Sequence, residues 1–348
     1  LTEACVALER ALAPRTDDSP FLSVLVRTQG NRIAPLKDAL LCLAGQTDQD
    51  FEVVLLVHSE DEGSIAEVTR LVGRLEPTFR ERVRLDVVKG GARAAPLNVG
   101  LADARGRFVS FFDDDDLLMG HWVESFRAAA ARAPGCMLRS LSAIQWVRPE
   151  TWHGDVAGVR TTSWPTVEYP PGFNHVDHLL VNRSPFMTWA FPRTLFSSLG
   201  LRFDEELFVC EDWDVILQGA AVCGVEDVGE LTSIYRRSRS GDSSYIVHRR
   251  SEWIGSEERV RARLDAAPVL LPAGSVDSLR TLLGRVDVVA RYGLLFKGAR
   301  LRQPLDAIWV GAQPAVNVAL KTRIRLLRAK ARVRRARASR RRHRSRKG

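Results

Sequence analysis

Residues 21–112 alternate strand-sized apolar runs with segments of helical spacing, and no other feature restricts the fold so tightly. FLSVLVRT (21–28), FEVVLLV (51–57), VRLDVV (83–88) and RFVSFF (107–112) are short and rich in β-branched or aromatic residues. The second has no polar alternation, as a strand buried on both faces requires. Between the runs, Leu36, Ala39, Leu40 and Leu43, then Ile65, Val68, Leu71 and Val72, recur at helical intervals. Residues 95–104 read as a third, shorter helix, and an amphipathic stretch follows near 118–132. The order β-α-β-α-β-α-β demands right-handed crossovers and a mostly parallel, doubly wound sheet. Such sheets hold ligands at the carboxyl ends of their strands. The residues just after Thr28, Val57, Val88 and Phe112 are therefore read as one site.

Residues 135–200 lack that regularity. They contain Trp146, Trp152, Trp164, Trp189, several prolines and the run YPPGFNHVDH, and read as long loops over a few strands, suited to a second substrate. Order resumes with a helical piece after Glu211 and the strand-like LTSIY (231–235). Val276, Leu279, Leu283, Val286 and Val289 predict a helical C-terminal part, and an Arg-rich, low-complexity segment ends the chain. Of 51 Lys and Arg residues, 15 lie in 321–348, which has no acid. The formal charge of +9 thus belongs to the tail, and the body holds 36 basic residues against 42 acidic ones. A reading of the whole chain as a basic nucleic-acid binder thereby loses most of its support. Cys5, Cys42, Cys136, Cys210 and Cys223 form no CxxC pair, which predicts reduced thiols and a cytoplasmic location. Residues 1–20 lack the basic-then-apolar order of a signal peptide. No apolar run approaches the ~18 residues of a membrane span.

The most informative stretch is RFVSFFDDDDLL, where four carboxylates, Asp113 to Asp116, follow a buried strand at the ligand-binding edge. Two like charges ~4 Å apart repel by about 1 kcal/mol in water and several times that in a less polar cleft. A hard divalent cation, Mg²⁺ or Mn²⁺, is the natural counterweight. In an extended segment Asp113 and Asp115 point one way, Asp114 and Asp116 the other. One carboxylate can then meet a metal while its neighbour meets a ribose or the interior. The plainer reading is a solvated acidic turn, with Asp116 capping the next helix; the position after a buried strand favours the site.

Here the chain resembles a family 2 glycosyltransferase with the glycosyltransferase-A fold, over about residues 20–236. SVLVRTQGNR resembles that family's first strand and turn, and LKDALLCLAGQTDQDFEVVLLV its helix, Gln-Thr turn and second strand. PLNVGLADARGRFVSFFDDDD resembles the Asn-x-Gly and Ala-x-Gly stretch leading into the Asp-x-Asp motif, and FVCEDWDVIL the Glu-Asp motif of the acceptor side. The resemblance implies an α/β catalytic domain over 20–236, with a nucleotide-binding half (20–117) and an acceptor half (118–236). A loop and helical extension (237–320) and the Arg-rich tail (321–348) would follow. It implies transfer of a sugar from a nucleotide sugar to an acceptor hydroxyl, with inversion.

By the same resemblance, Asp113 and Asp115 are the Asp-x-Asp pair. Asp115 would bind the Mn²⁺ or Mg²⁺ that bridges the diphosphate, with Asp113 near the ribose and the metal. Thr28, Arg32, Asn98 and Asp114 join the nucleotide-sugar residues, and Asp212 is the general base with Glu211 beside it. The chemistry agrees. Negative charge develops on the departing diphosphate, and a metal offsets it. An acceptor alcohol needs its proton removed as it attacks, and a desolvated carboxylate can take it. The pair also suits a plain helix N-terminus, where acids match the dipole.

The chain departs from the family pattern at two places. Val57-His58-Ser59 stands where an acidic pair often follows the second strand, which leaves His58 or Asp61 to meet the nucleobase. Pro96-Leu97 stands where an Arg often precedes Asn-x-Gly, which leaves Arg93 and Lys89 to face the diphosphate. His248 resembles the third metal ligand of some relatives, although a surface or core His is the commoner case. The Gly-Ser-rich 238–244 reads as a closing loop. His175, Asp177 and His178 read as acceptor-loop residues rather than a second metal cluster. Trp189 and Trp213 suit either sugar stacking or the core.

In the tail, Ile324, Leu327, Ala331 and Val333 form a thin apolar stripe on a basic helix. Such a helix lies on anionic membrane at about 1 kcal/mol per basic residue, peripheral to the inner face, where a lipid-linked or cell-surface saccharide would be the acceptor. A merely solvated tail is an equal alternative, and nucleic-acid contact a weaker one. Two other functions compete. A sugar nucleotidyltransferase would carry a Gly-rich basic loop after the first strand, and RTQGNR has one Gly. A degenerate, non-catalytic binder fits the missing acidic pair but not the retained Asp113/Asp115 and Glu211/Asp212.

Overall fold

The computed structural model describes residues 19–152, 155–238, 247–266, 271 and 275–293. The alternating first third folds as its spacing predicts: β1 (Leu22–Thr28), α1 (Ile33–Ala44), β2 (Phe51–His58), α2 (Glu62–Gly73), a single turn α3 (Pro77–Arg80), β3 (Val83–Val88), α4 (Ala95–Asp103) and β4 (Phe108–Asp113). These four strands are parallel neighbours in the order β3-β2-β1-β4. Successive strand residues face opposite sides, and both sides are covered. Val24, Val26, Val53, Leu55 and Phe112 pack with Leu36 and Leu40 of α1 and Val68 of α2. Leu25, Val54, Leu56, Val109 and Phe111 pack with Leu97 and Leu101 of α4. That is why the runs lack polar alternation.

The chain continues through β5 (Leu117–Leu118), α5 (Trp122–Arg132), β6 (Met137–Trp152), β7 (Asp155–Thr161), α6 (His175–Leu180), β8 (Trp189–Pro192), α7 (Thr194–Ser197), α8 (Glu211–Cys223), β9 (Val225–Ser238), α9 (Arg250–Asp265) and α10 (Ser275–Gly293). They extend the sheet to β3-β2-β1-β4-β8-β6-β9-β5, with β7 beside β6. β8 runs antiparallel to β4 and β6, while β9 runs parallel to β6. The sheet is thus mostly parallel and doubly wound, with an antiparallel insertion. α5 joins the first face through Trp122 and Phe126, and α8 the second through Val215 and Ile216.

Two expectations need correction. Residues 135–200 are not mainly loops, because β6 alone runs 16 residues. Its polar residues hid it: Arg139, Ser140 and Ser142 are buried inside the sheet. The Arg139 guanidinium is satisfied there by Asp227, Ser184 and the Pro170 carbonyl. Nor does Asp116 cap α5, which starts later, after His121. Asp116 is buried and accepts the Arg236 backbone N–H at 2.7 Å, fixing the end of β9.

The Asn-x-Gly and Ala-x-Gly motifs build this framework. A Cβ on Gly100 would stand 2.8 Å from Leu56 Cδ1 and 2.9 Å from Leu25 Cδ2, so glycine lets α4 lie close on the sheet. A Cβ on Gly106 would run into the backbone of Leu22 and Ser23. The Gly106 N–H instead donates to Ser23 Oγ at 2.7 Å.

Both predicted halves of the catalytic domain lie within one compact unit that ends at Leu282. A second unit, Leu283–Gly348, is described only as far as Gly293, as helix. Cys42, Cys136, Cys210 and Cys223 are free thiols. Cys5, the Gly-Ser segment beyond Ser238 and the basic tail 321–348 lie outside the described residues. Among the described residues no helix is long and apolar enough to cross a membrane.

Candidate active site

Parallel register sets Arg27, near the end of β1, beside Asp113 at the end of β4. Arg27 Nη2 donates to Asp113 Oδ1 at 2.9 Å, while its Nη1 donates to Glu211 Oε1 at 3.2 Å and to the Arg93 carbonyl at 3.1 Å. Arg93 Nε reaches the same Glu211 oxygen at 2.7 Å. One turn away, Arg32 bridges two more carboxylates: it donates to Asp115 at 2.6 Å and to Asp114. Thr28 Oγ1 holds the other oxygen of Asp114 and accepts the Gly30 N–H at 3.0 Å. Alternation of the acidic run is visible here. Asp114 is fully buried, whereas the side chains of Asp113 and Asp115 are 35% and 40% exposed.

Glu211 and Asp212 open α8, and the charge of Arg93 acts on both. Burial acts to raise the Glu211 carboxyl, but Arg93 and Arg27 outweigh it and hold the group below the usual carboxylate range. Asp113 is likewise held low by Arg27 and Arg93 against the effect of burial. Asp212 goes the other way. Burial first, then the charge of Glu211, push its carboxyl up to about 7. Its oxygens have neutral partners: Trp213 N–H donates to Oδ1 at 2.7 Å and Asn182 Nδ2 to Oδ2 at 2.8 Å. Two adjacent carboxylates thus differ in basicity because only one has guanidinium partners.

Thr28, Arg32, Arg93, Asp113, Asp114, Asp115, Glu211 and Asp212 come together in this way. Other predicted residues have other contacts. His58 ends β2 with Nε2 2.9 Å from the Gly90 carbonyl, at the same sheet edge. Asp61 caps α2 by accepting the Ser64 N–H at 2.8 Å. Asn98 is committed to the segment after α7: its Nδ2 donates to the Phe203 carbonyl (3.1 Å) and Glu205 (2.8 Å), and its Oδ1 accepts the Phe203 N–H (3.0 Å). His248 pairs with Glu252 at 3.1 Å. Among the described residues no three His, Cys, Asp or Glu side chains are grouped as if to hold a metal ion. His175 and His178 are buried. Trp189 and Trp213 are buried too, with Trp213 Nε1 donating to the His178 carbonyl at 2.6 Å, so both indoles serve the core rather than a sugar face.

Sequence reasoning passed over Arg27 and Asn182. A charged residue inside the apolar run SVLVRT was the available signal for Arg27. Asn182, in LLVNRSPF, carried none.

Residues 24–196 match the model of the family described as Glycosyl transferase family 2. This segment is a family 2 domain. The match runs from within β1 through β8, includes the acidic run, and ends before Glu211. Among solved structures, S. aureus TarS residues 1–349 in complex with UDP-GlcNAc superposes with a TM-score of 0.51 at 20% identity, over 70% of this chain and 65% of that one. TarS 1–349 in complex with UDP gives 0.50 at 19% identity, over 84% and 78%. In the first comparison the family 2 chain thus spans less than two thirds of TarS 1–349. At these identities the likeness is one of fold. No curated protein matches the chain significantly.

Proposed function

We propose that this family 2 protein transfers a sugar from a nucleotide-sugar donor to an acceptor hydroxyl, with inversion at the transferred carbon. The observation that carries the reading is Arg27, whose single guanidinium touches both Asp113 and Glu211. The two carboxylate motifs therefore meet in one charged cluster. Asp212, with its carboxyl near 7, takes the acceptor's proton as the acceptor oxygen bonds to the anomeric carbon. The bond from that carbon to the diphosphate oxygen breaks, and its electron pair leaves with the nucleoside diphosphate. One direct displacement inverts the configuration. Arg32 and Arg93 supply guanidinium groups of the kind that pair with phosphate oxygens.

Asp113 and Asp115 fit a hard divalent cation, being partly exposed oxygen donors at the sheet edge. Magnesium-like ions commonly use one or two protein carboxylates together with substrate phosphates, and need no further protein ligand. A bound Mn²⁺ or Mg²⁺ would neutralise charge on the departing diphosphate. UDP sugars are the first donors to try, because TarS was solved with UDP-GlcNAc and with UDP. The acceptor we favour is a lipid-linked or cell-surface saccharide of envelope polysaccharide synthesis, met at the cytoplasmic membrane face with 321–348 on anionic lipid. The composition of that segment supports it.

Thermal-shift titration with nucleoside diphosphates and nucleotide sugars, with and without Mn²⁺ or Mg²⁺, tests the reading. A ligand at 100 times its Kd stabilises by about 2.7 kcal/mol. No shift with any of them, on folded protein, would transfer the weight to a non-catalytic binder. Asp212→Asn is expected to keep the donor-induced shift and to lose transfer by about 10²–10⁴-fold. Wild-type transfer should rise with pH through about 7, as Asp212 gives up its proton.

A further inference from the structure

We propose that Asn182 is the positioning residue that fixes Asp212 for proton removal from the acceptor, a proposal that rests on the reading of Asp212 as the base. Asn182 Nδ2 donates to Asp212 Oδ2 at 2.8 Å, and Asn182 Oδ1 accepts the Ser184 backbone N–H at 3.1 Å. A backbone N–H can only donate, so the amide's orientation is decided by the network and its NH₂ group faces the carboxylate. Asn182 cannot turn away without stranding the Ser184 N–H. Ser184 itself is buried, and its hydroxyl accepts from Arg139 Nε at 2.9 Å. Arg139 is 1% exposed and pairs with Asp227 at 2.9 Å, and Asp227 also accepts the Phe173 N–H at 2.7 Å. The loop bearing Asn182 is thereby anchored to β6 and β9.

With Trp213 N–H on one oxygen and Asn182 on the other, the plane of the Asp212 carboxylate is fixed, and each oxygen keeps a lone pair for a proton. The residue type matters. The charged groups acting on Asp212 are Glu211, beside it on α8, and Arg93, from the segment before α4; the Cys210 thiol precedes it. A guanidinium in place of Asn182 would drive the carboxyl down, as it does for Glu211, and remove its use as a base. An amide orients without that cost.

Two variants separate the outcomes. Asn182→Asp keeps the size and the acceptor for Ser184 N–H but replaces the donor by a carboxylate. Asn182→Ala removes both bonds. The Asp212 carboxyl is followed by ¹³C NMR of Asp-labelled protein across pH, its resonance identified by its loss in Asp212→Asn. We expect its midpoint to move up in both variants, by about one pH unit in Asn182→Asp. With the donor found by thermal shift, we expect kcat to fall at least about tenfold with little change in donor KM, and the acid limb of the pH profile to move up with the midpoint. An inactive Asp212→Asn beside folded Asn182 variants of unchanged midpoint and kcat overturns the positioning role alone. Full transfer by Asp212→Asn overturns the base reading and the positioning role with it.

Discussion

Cys210 has a φ of +67°, and no other non-glycine residue among those described has a positive value. It directly precedes Glu211 and Asp212, so the turn that aims the pair holds backbone strain of about 1–2 kcal/mol. Comparing two truncations isolates that strain. Cys210→Gly should be more stable than Cys210→Ala by about 1 kcal/mol in urea denaturation, the reverse of the order inside a helix. His178 offers a second residue-level test. Burial, then the charge of Arg139, push its pKa down to about 3. Unfolded, it titrates near 6.5. The unfolded chain therefore takes up a proton that the native protein refuses as pH falls from about 6.5 to 3, and stability is lost over that window. His178→Gln should flatten the acid side of a plot of Tm against pH; an unchanged slope would mean that His178 is protonated in the fold.

At the scale of elements, the approach of the α4–β4 turn to β1 makes Gly106 the stricter of two glycines. Gly106→Ala meets backbone, which cannot yield without moving β1, and should cost about 1–3 kcal/mol. Gly100→Ala meets the ends of two leucines that can turn aside, and should cost less. Chemical denaturation of both variants checks the order. Elements such as β2 and α1 were legible because their apolar residues follow one period, set by helices packed on both faces. β6 was not, since Arg139, Ser140 and Ser142 break its pattern and find partners only in the fold. The site divides in the same way. Four acids after a buried strand announce a charge problem in the sequence itself. Arg27 and Asn182 gain meaning only from partners 86, 184 and 30 positions away, and such pairings leave no trace in local spacing. Asn98 shows that a motif residue also has structural work that the sequence does not announce, since it braces the chain at Phe203.

For the whole molecule, the proposed function makes the charge of this cluster decide what binds. Guanidinium groups of Arg27, Arg32 and Arg93 face the carboxyls of Asp113, Asp114, Asp115, Glu211 and Asp212. A nucleoside diphosphate arriving alone adds anions to a balance already tilted negative, while a divalent cation offsets them. We expect Mn²⁺ to tighten nucleoside diphosphate binding about tenfold or more, and the nucleotide to tighten Mn²⁺ by the same factor, since coupling is reciprocal. Isothermal titration in both orders measures it. Equal nucleotide affinity with and without metal would mean that the arginines alone neutralise the phosphates.

Arg27 also limits how the protein can be recombined. Its strand belongs to the half that carries the acidic run, yet its second hydrogen-bonding arm ends on the first residue of α8. A chimera that joined residues 20–117 to a relative's counterpart of 118–236 would import a helix whose opening acid was shaped against a different first strand. Under the proposed function the donor and acceptor sides are therefore not separate cassettes, and a swap that is to work must move β1 and the start of α8 together.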